Sequence, residues 1–228
     1  GASDLFMVGH FSTSAGVCAV ATGGQIMQTI TGLSIGLTAG GTVLIGKHFG
    51  AQRKQDVAHA IKTIVLVFGA LSIAITAATI LLLDPICVLM QVPAEALEIT
   101  RQYLFICACG ILFIVGYNVI SGILRGLRDS RTPLLLIAVA CVINVSTDLL
   151  FVGVLHLGAP GAAVSTVIAQ VASLLLAVIY LAARGFFKKY RRYSPSFRLG
   201  AAKDVLSAGL PIALQEGLVN VSFLIITA

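Results

Sequence analysis

Residues 133–154 read PLLLIAVACVINVSTDLLFVGV, an apolar run interrupted only by a short polar cluster from Asn144 to Asp148. A helix that crosses a bilayer needs ~20 mostly apolar residues, and this run supplies them. It is apolar around most of its circumference, whereas a transmembrane strand would alternate over segments of ~10 residues. Similar runs recur at 15–45, 63–83, 102–124, 160–183 and 205–228, and 4–11 reads as the tail of an earlier helix. The first of these exceeds one span. It is rich in small residues (Gly32, Gly36, Gly40, Gly41 and, just beyond it, Gly46), which allow helices to approach closely or to tilt.

Composition agrees with that reading. Of 228 residues, 58% are hydrophobic and 11% charged, and the mean hydropathy is +1.02. A soluble domain carries about 25% charge. With so few polar groups a water-soluble globule could not cover its surface. This excludes a soluble enzyme, a disordered segment and a free nucleic-acid-binding domain. The fold class expected is an all-α integral membrane bundle that crosses the bilayer many times. The five cysteines (Cys18, Cys87, Cys107, Cys109 and Cys141) read as small core or lipid-facing residues, not as a disulfide or metal framework. The four histidines (His10, His48, His59 and His156) have no metal spacing and are assigned no role. The opening at Gly1 and the close on the apolar run Phe223 to Ala228 suggest a piece of a longer protein.

Charge gives direction. Fourteen of the fifteen Lys and Arg residues fall in three connections, at 47–62, 125–131 and 184–203. The connections between them hold Arg101 with Asp84, Glu95 and Glu98. By the positive-inside rule the three basic connections are cytoplasmic. The net charge of +6 therefore reports topology and contact with anionic lipid, not a nucleic-acid partner. The longest polar stretch, Arg184 to Asp204 with Ser194, Pro195 and Ser196 at its middle, is the boundary expected between two bundles.

Polar groups at membrane depth are costly unless paired or hydrated, and they mark function. The acids inside the runs are Asp4, Asp148 and Glu216; the amides include Asn118 and Asn144. Asn144 and Asp148 lie four apart, on one helix face. At 1.5 Å per residue, Asp4, Asp148 and Thr166 fall at a similar level in the outer half, with Asn144 one turn deeper. Two carboxylates, amides and a hydroxyl form an all-oxygen set suited to a hard cation. Desolvation and mutual repulsion favour a proton or Na⁺ at such a pair. The competing reading, hydrogen bonding that only ties helices together, suits Asn118 and Thr166 better than Asp148.

Several stretches resemble the multidrug and toxic compound extrusion (MATE) transporters. Asp4-Leu5-Phe6-Met7-Val8-Gly9 resembles the end of that family's helix 1. Gly32-Leu33-Ser34-Ile35-Gly36 with Gly46-Lys47-His48-Phe49-Gly50-Ala51 resembles helix 2 and its loop. Arg125 to Pro133 resembles the Arg-Gly-x-Gly-Asp-x-x-x-Pro loop, with Arg128 where glycine is usual. Asn144-Val145-Ser146-Thr147-Asp148 matches the helix 5 pattern. Gly158 to Ala163 matches the turn into helix 6, and Gly209-Leu210-Pro211 resembles the start of helix 7.

The resemblance implies a twelve-helix transporter of two six-helix lobes. Residues 1–183 would form the first lobe with helix 1 mostly missing, 184–204 the basic interlobe loop, and 205–228 the start of helix 7. It implies a cation-coupling site at Asp4, Asn118, Asn144, Asp148 and Thr166, with Glu216 as a second-lobe acid. Asn118 rests mainly on the resemblance. The function expected is a Na⁺- or H⁺-coupled antiporter that exports organic cations by alternating access, multi-pass in the inner membrane, monomeric, and without another cofactor. The alternatives are a lipid-linked oligosaccharide flippase of the same superfamily, which should place cationic residues within its spans, and a membrane protein that does not transport.

Overall fold

The computed structural model describes residues 2–11, 13–193 and 196–227, with side chains for 4–10, 13–190, 192–193 and 196–219. Ser194 and Pro195 of the expected boundary, Ala228, and the side chains of the run from Phe223 lie outside the described residues. All regular structure among them is helical: α1 (Ala2–Phe11), α2 (Ser14–Gly50), α3 (Lys54–Leu81), α4 (Leu83–Leu89), α5 (Ala94–Gly126), α6 (Arg131–Asp148), α7 (Gly158–Ala183), α8 (Phe186–Arg191) and α9 (Leu199–Thr227). A π-helical segment, Leu149–Val154, continues α6. Among the described residues, five helices are long and apolar enough to cross a membrane: α2, α3, α5, α6 with its π-helical extension, and α7. The run at 205–228 lies in α9.

The helices overrun the apolar runs. The basic 47–62 connection is mostly helical, and only 51–53 separate α2 from α3. Lys47 and His48 complement the C-terminal dipole of α2, and Gln52, at φ +59°, makes the break. Two short helices were not foreseen. α4 lies in the acidic connection, where Asp84 pairs with Arg101 at 3.3 Å across exposed surface, a weak tether. α8 forms inside the basic stretch because Phe186 and Tyr190 stack on each other, with ring centroids 4.7 Å apart, and pack against the core.

α5 is the buried centre. Its apolar stretch is 67% buried, against 11% for α6, whose Leu134, Leu135 and Val142 face outward. Such a belt of exposed aliphatic side chains is stable against lipid rather than water.

α2 is the other organising helix. A Cβ at Gly36 would overlap the Ala213 backbone of α9, and one at Gly40 would overlap Val205 and Gly209. α2 and α9 therefore touch backbone to backbone through residues spaced four apart on each, as small residues allow in membranes. On its α5 side, the Thr42 hydroxyl donates to the Gly122 carbonyl at 3.1 Å.

Two polar joints fix the basic side. His59 is buried, and its Nδ1 accepts the Ser196 backbone N–H at 2.8 Å. The Arg198 guanidinium reaches Asp56 at 2.9 Å, so the stretch before α9 is fastened to α3. This histidine was assigned no role; its partner lies 137 residues away. At the second joint, Asp129 accepts the Thr132 backbone N–H at 3.1 Å, the Thr132 hydroxyl at 2.7 Å and the Tyr180 hydroxyl at 3.3 Å. Partial burial works against the charged Asp129 carboxyl, but these hydrogen bonds outweigh it and hold the carboxyl below its ordinary range.

Two outcomes follow for the full-length protein in detergent. Gly40→Val should lower the thermal midpoint by several degrees, because backbone stands where the side chain must go; Gly69→Ala, with nothing within 4 Å of its added methyl, should not. Asp129→Ala should cost about 1 kcal/mol near neutral pH through the lost cap on α6. Because the folded carboxyl is depressed, this contribution is present above the ordinary carboxylate range and disappears as pH falls through the folded value. A stability difference that persists in strong acid would contradict that assignment.

Candidate functional site

Three helices carry the intramembrane acids and their partners to one place. α1 supplies Asp4, α6 ends on Asp148, and α7 presents Ser165 and Thr166. Tight turns bring α6 and α7 together. His156 and Gly158 both adopt left-handed φ, +51° and +59°, and Gly161 leaves room for Phe151 and Leu157. Asp148 is the last α-helical residue before the π-helical segment, where the Leu155 N–H donates to the Leu150 carbonyl at 2.9 Å. π segments within helices often mark functional sites.

Asp4 and Asp148 are both fully buried, at 0% exposure. The Thr166 hydroxyl donates to Asp4 Oδ2 at 2.7 Å. Asn144 Nδ2 lies 3.4 Å from Ser165 Oγ and 3.5 Å from Thr166 Oγ1, the outer limit for a hydrogen bond. Ser165 donates to the Asn144 carbonyl at 3.1 Å and lies 2.8 Å from Thr147 Oγ1. Asp148 is near enough to Asp4 and Ser165 for their groups to act on it. Yet among the described residues neither Asp148 oxygen has a hydrogen-bond partner, because Ser165 is turned to Asn144 and Thr147. Tyr103 of α5 is buried within electrostatic reach of both carboxylates. Gly23 of α2 gives its ring space, since a Cβ there would overlap the ring.

A cavity of about 410 Å³ opens beside this cluster between α2, α5, α7 and α9. Its polar lining includes Gln28, Thr31, Tyr103, Thr166, Gln170 and Glu216. Thr166 therefore touches Asp4 on one side and the cavity on the other.

Of the expected residues, Asp4, Asn144, Asp148 and Thr166 are brought together, and Glu216 lines the adjoining cavity. Asn118 is buried on α5, one turn before Gly122, where α5 meets α2, and among the described residues no hydrogen bond joins it to the acids. Three participants were not foreseen: Thr147, Ser165 and Tyr103. Helical hydroxyls ordinarily bond their own backbone, as Thr147 also does to the Ile143 carbonyl at 2.8 Å, so sequence could not separate these from routine cases. Among the described residues no three His, Cys, Asp or Glu side chains converge. The donor set is two carboxylates with amide and hydroxyl oxygens.

Comparison with known proteins identifies the class. The MatE family profile matches residues 1–150. The chain belongs to the MatE family, a group of multi-pass membrane transporters. The probable multidrug resistance protein YpnP of Bacillus subtilis (strain 168) is 30% identical over 212 residues, covering 93% of this chain and 47% of that one. A structure described as the inward-facing conformation of a multidrug resistance MATE family transporter of the MOP superfamily superposes with a TM-score of 0.87 at 24% identity, over 96% of this chain and 50% of that one. Its outward-facing counterpart gives 0.84 at 26% identity, over 94% and 48%. The chain spans about half the length of the relatives it matches.

Thr166→Val should leave Asp4 short of a donor and cost about 1–3 kcal/mol of stability. Thr166→Ser should restore it. Equal thermal midpoints for the two variants would show that the Thr166–Asp4 bond carries no weight.

Proposed function

We propose that this chain is the first lobe and the opening helix of the second lobe of a cation-coupled multidrug efflux antiporter. In this reading, residues 1–183 form the lobe, 184–204 the basic cytoplasmic connection, and 205–228 the first helix of the second lobe. Asp4 and Asp148 exchange Na⁺ or H⁺ near the outer face, and organic cations leave through the cavity beside them. The observation that carries the reading is the fully buried, unpartnered carboxyl of Asp148 beside buried Asp4.

Burying the carboxylate of Asp148 without a hydrogen-bond partner, beside a second carboxyl, costs far more than ordinary helix packing returns. A proton or a cation between them removes that cost. Asp148 Oδ1 and Oδ2, Asp4, and the amide and hydroxyl oxygens of Asn144 and Thr166 form a hard-oxygen set for Na⁺. The same oxygens serve a proton equally well.

Occupancy acts on substrate through Thr166. Its hydroxyl donates to Asp4 and its side chain lines the cavity, so a cation that draws Asp4 away changes the cavity wall. A coupling ion biases the two lobe arrangements only by its different affinity for each. Glu216 on the opposite wall and the amides of Gln28 and Gln170 suit a cationic, hydrogen-bonding substrate. The flippase reading is disfavoured because the cavity wall carries an acid and no Lys or Arg among its described residues.

Asp148→Asn in the full-length protein should abolish dye efflux driven by a Na⁺ or proton gradient while insertion and yield stay near wild type. Full retained efflux would overturn the coupling site. Asn118→Ala, outside the hydrogen-bonded cluster, should keep most of that activity.

A further inference from the structure

We propose that Arg128, Arg131 and Arg184 form a binding site for the phosphate headgroup of an anionic phospholipid, on the basic side of the bundle. These three side chains line a cavity of about 720 Å³ between the α5–α6 turn and the end of α7. Leu135 and Leu136 form its apolar wall, and Leu135 is 67% exposed on the lipid-facing side of α6. The cavity thus has a cationic mouth and an aliphatic flank that continues along the membrane-facing surface.

Among the described residues Arg128 and Arg131 make no side-chain hydrogen bond or ion pair, while Arg184 lies against Tyr180 and within electrostatic reach of Asp129. The two ion pairs described, Arg101 with Asp84 and Arg198 with Asp56, involve none of them. The one acid in the lining, Asp129, is occupied by Thr132 and Tyr180. Arg184 stacks 5.0 Å from the centre of the Tyr180 ring, which holds its guanidinium at the rim.

Arg128 is the telling residue. Its φ is +69°, in the left-handed region that favours glycine. A non-glycine residue is less favourable there, as at the turns of Gln52, Gln91 and His156. The turn holds Arg128 in that backbone and sets a third guanidinium over the cavity. Planar guanidiniums match phosphate oxygens in pairs, and basic pockets between membrane helices on the cytoplasmic side bind anionic headgroups.

The test is native mass spectrometry of the full-length protein titrated with dioleoylphosphatidylglycerol or dioleoylphosphatidylcholine. The anionic lipid should bind at least tenfold more tightly. Arg128→Gly, which suits the local backbone, should keep the thermal midpoint and weaken that binding about fivefold. The triple variant Arg128→Gly, Arg131→Gln, Arg184→Gln should remove the preference, whereas Arg101→Gln should not. If the triple variant does not fold, Arg128→Gly decides alone. Equal binding of the two lipids, or an undiminished preference in Arg128→Gly, overturns the proposal. Displacement of phosphatidylglycerol by millimolar inorganic phosphate would assign the site to a soluble anion and overturn the lipid assignment.

Discussion

A carboxylate removed from water must find a counter-charge, hydrogen bonds or a proton, and this bundle is arranged around two buried acids, of which Asp148 has no hydrogen-bond partner among the described residues. Asp4 has the Thr166 hydroxyl. Asp148, equally buried, has its neighbour Ser165 turned away. The nearby amide and hydroxyls satisfy one another, so the local network is complete except at the acid where a cation would be most useful. The tight turn between α6 and α7, the π-helical segment after Asp148 and the space at Gly23 for Tyr103 all serve to hold these groups in place.

Most of the fold was legible because lipid imposes a coarse and insistent pattern. Apolar runs of spanning length and the alternation of basic and acidic connections located every long helix. The helix ends were less legible. Residues 47–50 and 54–62 are polar enough to read as connection, yet they continue α2 and α3, because hydrogen bonding within a helix does not stop at the membrane surface. α4 and α8 escaped notice because each is two turns or fewer and depends on tertiary contacts.

At the site, the acids were legible from cost alone, and the four-residue spacing of Asn144 and Asp148 placed them on one face. Thr147 and Ser165 were not legible, since a hydroxyl in an apolar helix usually bonds its own backbone. Asn118 shows the converse. A likeness of pattern nominated it, and it lies about three-quarters of the way along α5, one turn from the α2 contact at Gly122, with no hydrogen bond to the acids among the described residues. His59 was passed over because its partner, a backbone N–H beyond α7, leaves no mark in local sequence.

The backbone contact between α2 and α9 has a mechanical consequence. Notches at Gly36 and Gly40 receive Ala213 and Gly209, and at both the atoms that meet are backbone, which cannot yield. Sliding one along the other would ride a bulky residue over each notch, and a comparable seat returns only after four residues, about 6 Å away. Relative travel of these helices is thus geared in detents: they stay meshed, they part, or they skip a tooth.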